Sequence, residues 1–330
     1  MVTYLITLNA LKNGILIGCA VCLMLLSENL FAQSTADWLQ KSEKTRLLMI
    51  EMDEIIRDRN RDRAFQKYIQ FFSPKVRAFG LYVDGPADLE GLRKHYHPVF
   101  FELRDGVLLS DEVITAGPMA AQRYHSMLYL DGKFDGVEAR GKPVHLRGQT
   151  FFQFNPDDEV LKRWSNHNHA FRMQQLLGTK GAIAGAEIAL KLNGPGISEN
   201  AVIQKLSEMA DAYNLVQSPK QRLAQFLSFF RHDVKVHGIA QTVADLGLLS
   251  DYLERTWLAF PDLTRTDEAR LSAWSYGAVR WRALGSHRGT FNDKAATLRP
   301  VLLKGEWIMK FNSDGKITEI WTNDAPIAYQ

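Results

Sequence analysis

The sequence predicts an α+β protein made by tandem duplication. Three observations carry that reading: a repeat at a nearly constant offset, helical periodicity opening each copy, and β-rich segments closing it. Phe65, Tyr68, Ile69 and Phe72 lie at i, i+3, i+4 and i+7, and Leu223, Phe226, Leu227 and Phe230 repeat that spacing 158 residues later. Each set makes one apolar helix face. Phe71-Phe72, Val76 and Gly80 recur as Phe229-Phe230, Val234 and Gly238 at the same offset. Further on the offset is 157: Gly132-Lys133-Phe134 meets Gly289-Thr290-Phe291, Pro143-Val144 meets Pro300-Val301, Arg147-Gly148 meets Lys304-Gly305, and Trp164 meets Trp321. Register held over such a length with one slip implies two copies of one domain.

The segments follow in order. Residues 1–32 are expected to be a secretory signal. Lys12 and the amino terminus precede an apolar run of 12 residues, Ile15 to Leu26, and Leu30-Phe31-Ala32 before Gln33 offers a small residue at the cut. The run is short of the ~18–20 residues that cross a bilayer. An uncleaved anchor is the alternative reading and gives the only membrane contact expected. Cys19 and Cys22 are the only cysteines. Cleavage after Ala32 therefore leaves a mature, periplasmic or secreted chain that cannot form disulfides or use a thiolate. Residues 33–63 are expected to be a charged helical extension, in which Leu47, Leu48 and Ile55 form an apolar stripe.

The first copy is placed at 64–178 and the second at 221–330, joined by a helical connection at 179–220. In that connection Ala182–Leu192 and Ala201–Tyr213 read as helices, separated by the breaker Asn193-Gly194-Pro195-Gly196. Tyr124–Leu130, Val144–Phe154 and Val160–Asn168 are rich in β-branched and aromatic residues. Asn155-Pro156-Asp157-Asp158 turns between the last two, and Asn312-Ser313-Asp314-Gly315 does so in the second copy. An antiparallel sheet is expected in each. With 40 Lys+Arg against 37 Asp+Glu, the net charge of +3 is small and evenly mixed, which excludes a nucleic-acid-binding stripe.

Several motifs resemble the SnoaL-like polyketide and ester cyclases of the nuclear-transport-factor-2-like superfamily. Gly285-Ser286-His287-Arg288-Gly289-Thr290-Phe291 is similar to G-T-H-x-G-x-F, and Arg299-Pro300-Val301 with Lys304-Gly305 to G-R-P-V-x-x-R-G. Phe311-Asn312 with Asp314-Gly315-Lys316-Ile317, Glu319 and Trp321 is similar to F-R-D-G-K-I-x-E-x-W. In the first copy Gly85-Pro86 with Gly91-Leu92-Arg93, Gly141-Lys142-Pro143-Val144 with Arg147-Gly148, and Gln174-Gln175-Leu176-Leu177-Gly178 carry the likeness. The resemblance implies two cone-shaped α+β barrels, each a curved sheet wrapped on helices around an apolar pocket for a small hydrophobic, polyketide-like ligand. It also implies an intramolecular aldol chemistry without metal or other cofactor.

The family's proton-moving Asp stands four residues after the Trp of the last strand. Here those positions are Asn168 and Ala325. Asp324 lies three residues past Trp321, on the opposite strand face unless a bulge turns it inward. The catalytic candidates are therefore Asn168, His125 and Asp324. Arg123, Tyr124, Trp164 and Asn166 in the first copy, and Arg280, Trp281 and Trp321 in the second, are the ligand-binding candidates. Asn166 and Asn168 join them only if Trp164 faces the cavity. The pairs His95/His97 and His167/His169 lack a third ligand at a recognisable spacing, so no metal site is expected. Two functions remain open, a cyclase or isomerase and a non-catalytic binding module. An apolar sheet face left bare invites aggregation, so the copies are expected to cover each other in a monomeric pseudo-dimer.

Overall fold

The computed structural model describes residues 35–330 other than 59, 81–85, 102, 131–132, 135–136, 139–141, 168–196, 216–217, 240–242, 325–327 and 330. Among these no helix is long and apolar enough to cross a membrane. Helix α1 spans 35–56. It docks on the first domain through buried Met49 and Met52, with Leu48 and Ile55 packed beside them, whereas Leu47 is 53% exposed. Polar ties fix its start: Thr45 Oγ1 donates to Gly117 O at 2.8 Å, and Lys41 pairs with Asp158 at 2.7 Å. The Asn60 side chain accepts from the Arg63 amide and caps α2 (Arg61–Gln70), whose buried face is Ala64, Phe65, Tyr68 and Ile69.

The first domain continues as β1 (Phe72–Phe79), α3 (Leu89–Phe101), β2 (Leu103–Ala116), β3 (Met119–Leu130), the short pair β4 (Lys133–Phe134) and β5 (Val137–Glu138), β6 (Lys142–Phe154) and β7 (Val160–His167). The second repeats it: α4 (Glu199–Tyr213), α5 (Pro219–Leu227), β8 (Phe230–His237), α6 (Leu246–Ala259), β9 (Thr264–Ala273), β10 (Tyr276–Ser286), β11 (Pro300–Phe311) and β12 (Ile317–Asp324), with β13 (Ala328–Tyr329) added to β11. The sheet orders, β1-β7-β6-β3-β2 and β8-β12-β11-β10-β9, are the same path.

The sheets are mixed rather than wholly antiparallel, a correction to the sequence expectation. β1 lies parallel to β7 and β8 parallel to β12. In each domain the first strand joins the last, which is not its neighbour in sequence, so no hairpin imposes antiparallel pairing. Gly80 and Gly238 end those first strands at φ +81° and +102°, and a Cβ on either would strike the carbonyl of Ser165 or Thr322 on the adjacent strand. The repeat keeps glycine there for that reason.

Helix α4, within the 179–220 connection, lies in the second core: Val202, Leu206, Met209, Ala212 and Tyr213 are buried with Phe226, Trp257, Trp281 and Trp307. Ser198 caps it, and Ser218 caps α5 with Pro219 opening the first turn. The stretch read as a helix at Ala182–Leu192 lies outside the described residues.

The outer faces of the two sheets pack on each other. Ile114, Ala121 and Phe151 of the first domain are buried against Leu271, Tyr276, Ala278 and Ile308 of the second. Two reciprocal contacts flank them, related by the 157-residue offset. The Arg123 guanidinium lies 4.2 Å from the ring centre of Trp321, and that of Arg280 lies 4.5 Å from Trp164. Each Trp also stacks on a second ring, Trp164 on Phe79 and Trp321 on His237, at interplanar angles of 9° and 10°.

Candidate functional site

Alternation along the strands sorts the residues of the second domain between two buried faces. Val279, Trp281 and Ala283 of β10 belong to the inner core, while Ala278 on the same strand belongs to the inter-sheet cluster. On β11, Leu303, Trp307 and Met309 are inner and Ile308 outer. β12 pairs with β11 without a bulge from Ile308↔Trp321 to Gly305↔Asp324. Trp321 therefore faces the other domain, and Asp324 faces inward with no distortion needed.

Inside, the Asp324 carboxylate is held by two donors. Trp307 Nε1 donates to Oδ1 at 2.8 Å and the Tyr252 hydroxyl of α6 donates to Oδ2 at 3.0 Å. Burial raises the pKa of Asp324 above the usual carboxylate value, and the bonds from Trp307 and Tyr252, with the charge of Arg265, restrain that rise. Burial also pushes Tyr252 well above an ordinary tyrosine, reinforced by the adjacent carboxylate. Gly305 makes the room: a Cβ there would stand 2.6–2.7 Å from the Trp281 ring and collide with Asp324 Oδ1.

Arg265 and Asp267 line the inner face of β9, opposite Ala283 and Trp281. Arg265 Nε donates to Asp267 Oδ1 at 2.8 Å, and neither side chain is more than 1% exposed. The guanidinium lies 4.3 Å from the Trp307 ring centre, 5.1 Å from Trp281 and 5.4 Å from Tyr213. Burial pushes the Tyr213 hydroxyl up to about 12. Arg222 spans Trp257 at 4.4 Å and donates to the carbonyls of Tyr213 and Leu263 at 2.6 and 3.1 Å. A carboxyl group with a raised pKa, two donors that hold it, and cations over aromatic rings can bind a planar molecule and move a proton on it.

The sequence candidates divide. Asp324 and Trp281 meet in this interior. Tyr124 has the corresponding place in the first domain, where its ring occupies the space a Cβ at Gly148 would need. Arg123, Trp164, Arg280 and Trp321, expected at a cavity wall, lie instead between the domains. His125 is paired with Asp111, which also takes Arg123 at 2.7 Å. Glu268 with Arg280 and Arg282 repeats that arrangement. His125 is thus an outer-face residue, not a base in the cone. Asn168 lies outside the described residues, as does the Asn166 side chain.

The first domain's interior carries different polar groups. Asp53 accepts from Gln122 Nε2 at 2.9 Å, and Tyr68 and Tyr96 share a hydrogen bond of 3.2 Å. Burial raises the Asp53 pKa. Arg265, Asp267 and Tyr252 were not singled out by sequence. Their one signal was the two-residue spacing of Arg265 and Asp267, which puts both on one strand face.

Helices packed against a five-stranded mixed sheet, repeated with the same strand order in one chain, define the class: an α+β protein of two like domains. Residues 207–324, within the second domain, match the family model of the SnoaL-like polyketide cyclases. The match runs from α4 to Asp324. Among solved structures, AclR of Streptomyces galilaeus, a hydroxylase candidate, is 20% identical, with 39% of this chain and 91% of that one aligned at a TM-score of 0.35. IdmH of Streptomyces antibioticus, a polyketide cyclase candidate, is 23% identical over 37% of this chain and 91% of its own, TM-score 0.32. A SnoaL-like polyketide cyclase of Agrobacterium tumefaciens is 18% identical over 38% and 91%, TM-score 0.31. No curated protein matches the chain.

Proposed function

We propose that the second domain binds a small, planar hydrophobic molecule in its cone, and that Asp324 acts on it as a general acid and base in a ring-closing or isomerising step. The observation that carries this reading is the inward Asp324 carboxyl, clamped by Trp307 and Tyr252 among aromatic rings. As a carboxylate it takes a proton from carbon next to a carbonyl, and as an acid it returns one to the oxygen or carbon that acquires charge. A carboxyl lifted toward neutrality by burial can do both.

The test is a screen of the purified chain against polyketide-like and steroid-like compounds, first by thermal shift and then for turnover. Asp324→Asn keeps the shape and one acceptor, its oxygen taking the Trp307 bond while its Nδ2 can donate to the Tyr252 hydroxyl, so binding is expected to persist. Turnover is expected to fall by about 10²–10⁴-fold. Undiminished turnover in Asp324→Asn removes the acid–base role.

One observation favours a binding role without turnover: the position four residues after Trp321, where the family's Asp stands, is Ala325. Binding with no turnover on every bound compound supports that alternative.

We also read the chain as exported, on the charged start, short apolar run and Ala32 boundary of residues 1–32. Amino-terminal sequencing of protein recovered from the periplasm or medium is expected to begin at Gln33. An intact Met1 on membrane-bound protein favours the anchor instead.

A further inference from the structure

Several buried N–H groups of the second domain's interior are left without an acceptor among the described residues. Asp267 accepts from Arg265 Nε at Oδ1 and from Arg270 Nε at Oδ2, both at 2.8 Å, so one carboxylate serves two guanidinium groups. Arg222 is bonded only to backbone carbonyls by the contacts described above. Arg265 Nη1 and Nη2 are buried and meet no acceptor among the described residues, and the same holds for Trp281 Nε1. Four N–H bonds on the two Arg265 nitrogens thus face aromatic rings rather than oxygen, with the indole N–H of one of those rings also unused. A buried guanidinium with two of its three nitrogens lacking acceptors is costly, because the hydration they give up is not replaced. The aromatic faces recover part of that cost but leave the in-plane donors idle.

The geometry points to Arg265 as the recognition residue for an anionic oxygen on the ligand. The substrate class is then a planar aromatic or polyketide-like molecule bearing a carboxylate or enolate, its ring system against Trp281 and Trp307 and its oxygens on Nη1 and Nη2. Two parallel N–H groups match a carboxylate bidentately, which a neutral carboxamide cannot reproduce. The inference rests on the proposed ligand-binding role of this cone and gives that ligand a charge.

Isothermal titration of the full chain with 2-naphthoate and with 2-naphthamide tests it, because the two differ in charge and scarcely in shape. The wild-type chain is expected to bind the carboxylate at least about tenfold more tightly. Arg265→Gln is expected to bring the ratio close to one, while Arg282→Gln on the outer face leaves it unchanged. Removing Arg265 frees one oxygen of a buried carboxylate, so near-UV circular dichroism should accompany the titration. If Arg265→Gln does not fold, Arg265→Lys serves: it keeps a cation near Asp267 but loses the fork, and a ratio reduced at least threefold is expected.

Equal binding of both probes by the wild type overturns the anion assignment and leaves the ligand-binding reading standing. A carboxylate preference left undiminished by the Arg265 substitutions overturns the role of Arg265. Failure of both probes to bind at millimolar concentration counts against both readings together.

Discussion

Glu306 points from β11 into the space between the two sheets, 4% exposed, with Oε2 unpaired among the described residues. Burial holds its pKa well above the usual carboxylate range, against the attraction of Arg280 and Arg163. A raised folded-state value means that the folded chain keeps this proton more tightly than the unfolded one. The stability it contributes is full below the unfolded value, about 4.3, and is lost as pH rises through the folded value. Glu306→Gln removes the ionisation and keeps the volume. The variant is expected to be more stable than wild type at pH 8 by about 1–3 kcal/mol, with the gap closing toward pH 4, as read by urea unfolding at both. A gap independent of pH would show that Glu306 is not ionising there. Gly305→Ala should cost about 1–3 kcal/mol by overpacking, since both Asp324 and Trp281 occupy the space a Cβ needs. It should also displace the carboxyl from Trp307. At this scale the sequence revealed relative orientation and not absolute orientation. The period of two places Asp324 opposite Trp321, as observed. Which of them faces the cone could not be read, because both faces of this sheet are buried and both carry aromatic residues.

The elements legible in the sequence are those with one buried face and a clear stop. Helix α2 and the β6–β7 and β11–β12 hairpins follow from apolar spacing and from the Asn155 and Asn312 turns. The parallel placement of β1 and β8 was not legible, because their partners lie over 80 residues away and no local signal names them. Helix α4 shows how a connection read by position alone can belong to a core. Leu206 is 0% exposed, and Val202 and Leu206 come close to Gly277 of β10. Leu206→Ala is therefore expected to destabilise the full chain by about 2–5 kcal/mol, measured by chemical unfolding. A change below about 1 kcal/mol would mean that α4 is peripheral to the fold.

For the whole molecule, the contact between the sheets yields a testable expectation for the state of association. A sheet face carrying Leu271, Tyr276, Ala278 and Ile308 would be a sticky surface if left in water, and in this chain the first domain's Ile114, Ala121 and Phe151 cover it. Gln149 Nε2 adds a bond to the Trp321 carbonyl at 2.9 Å, and the two Arg–Trp stacks close the flanks. Because these residues are covered within the chain, light scattering after size-exclusion chromatography is expected to give the mass of one chain. Ile308→Asp probes the same contact from inside, since Ile308 is 0% exposed and an aspartate there has no partner to replace the lost packing. The expected result is a larger hydrodynamic radius at unchanged mass, or a new dimer in which the loosened faces pair between chains, with the two domains unfolding in separate steps. A wild-type mass of two chains, with the radius and single transition unaltered by Ile308→Asp, would place the working interface elsewhere and leave the sheet contact without a role in assembly.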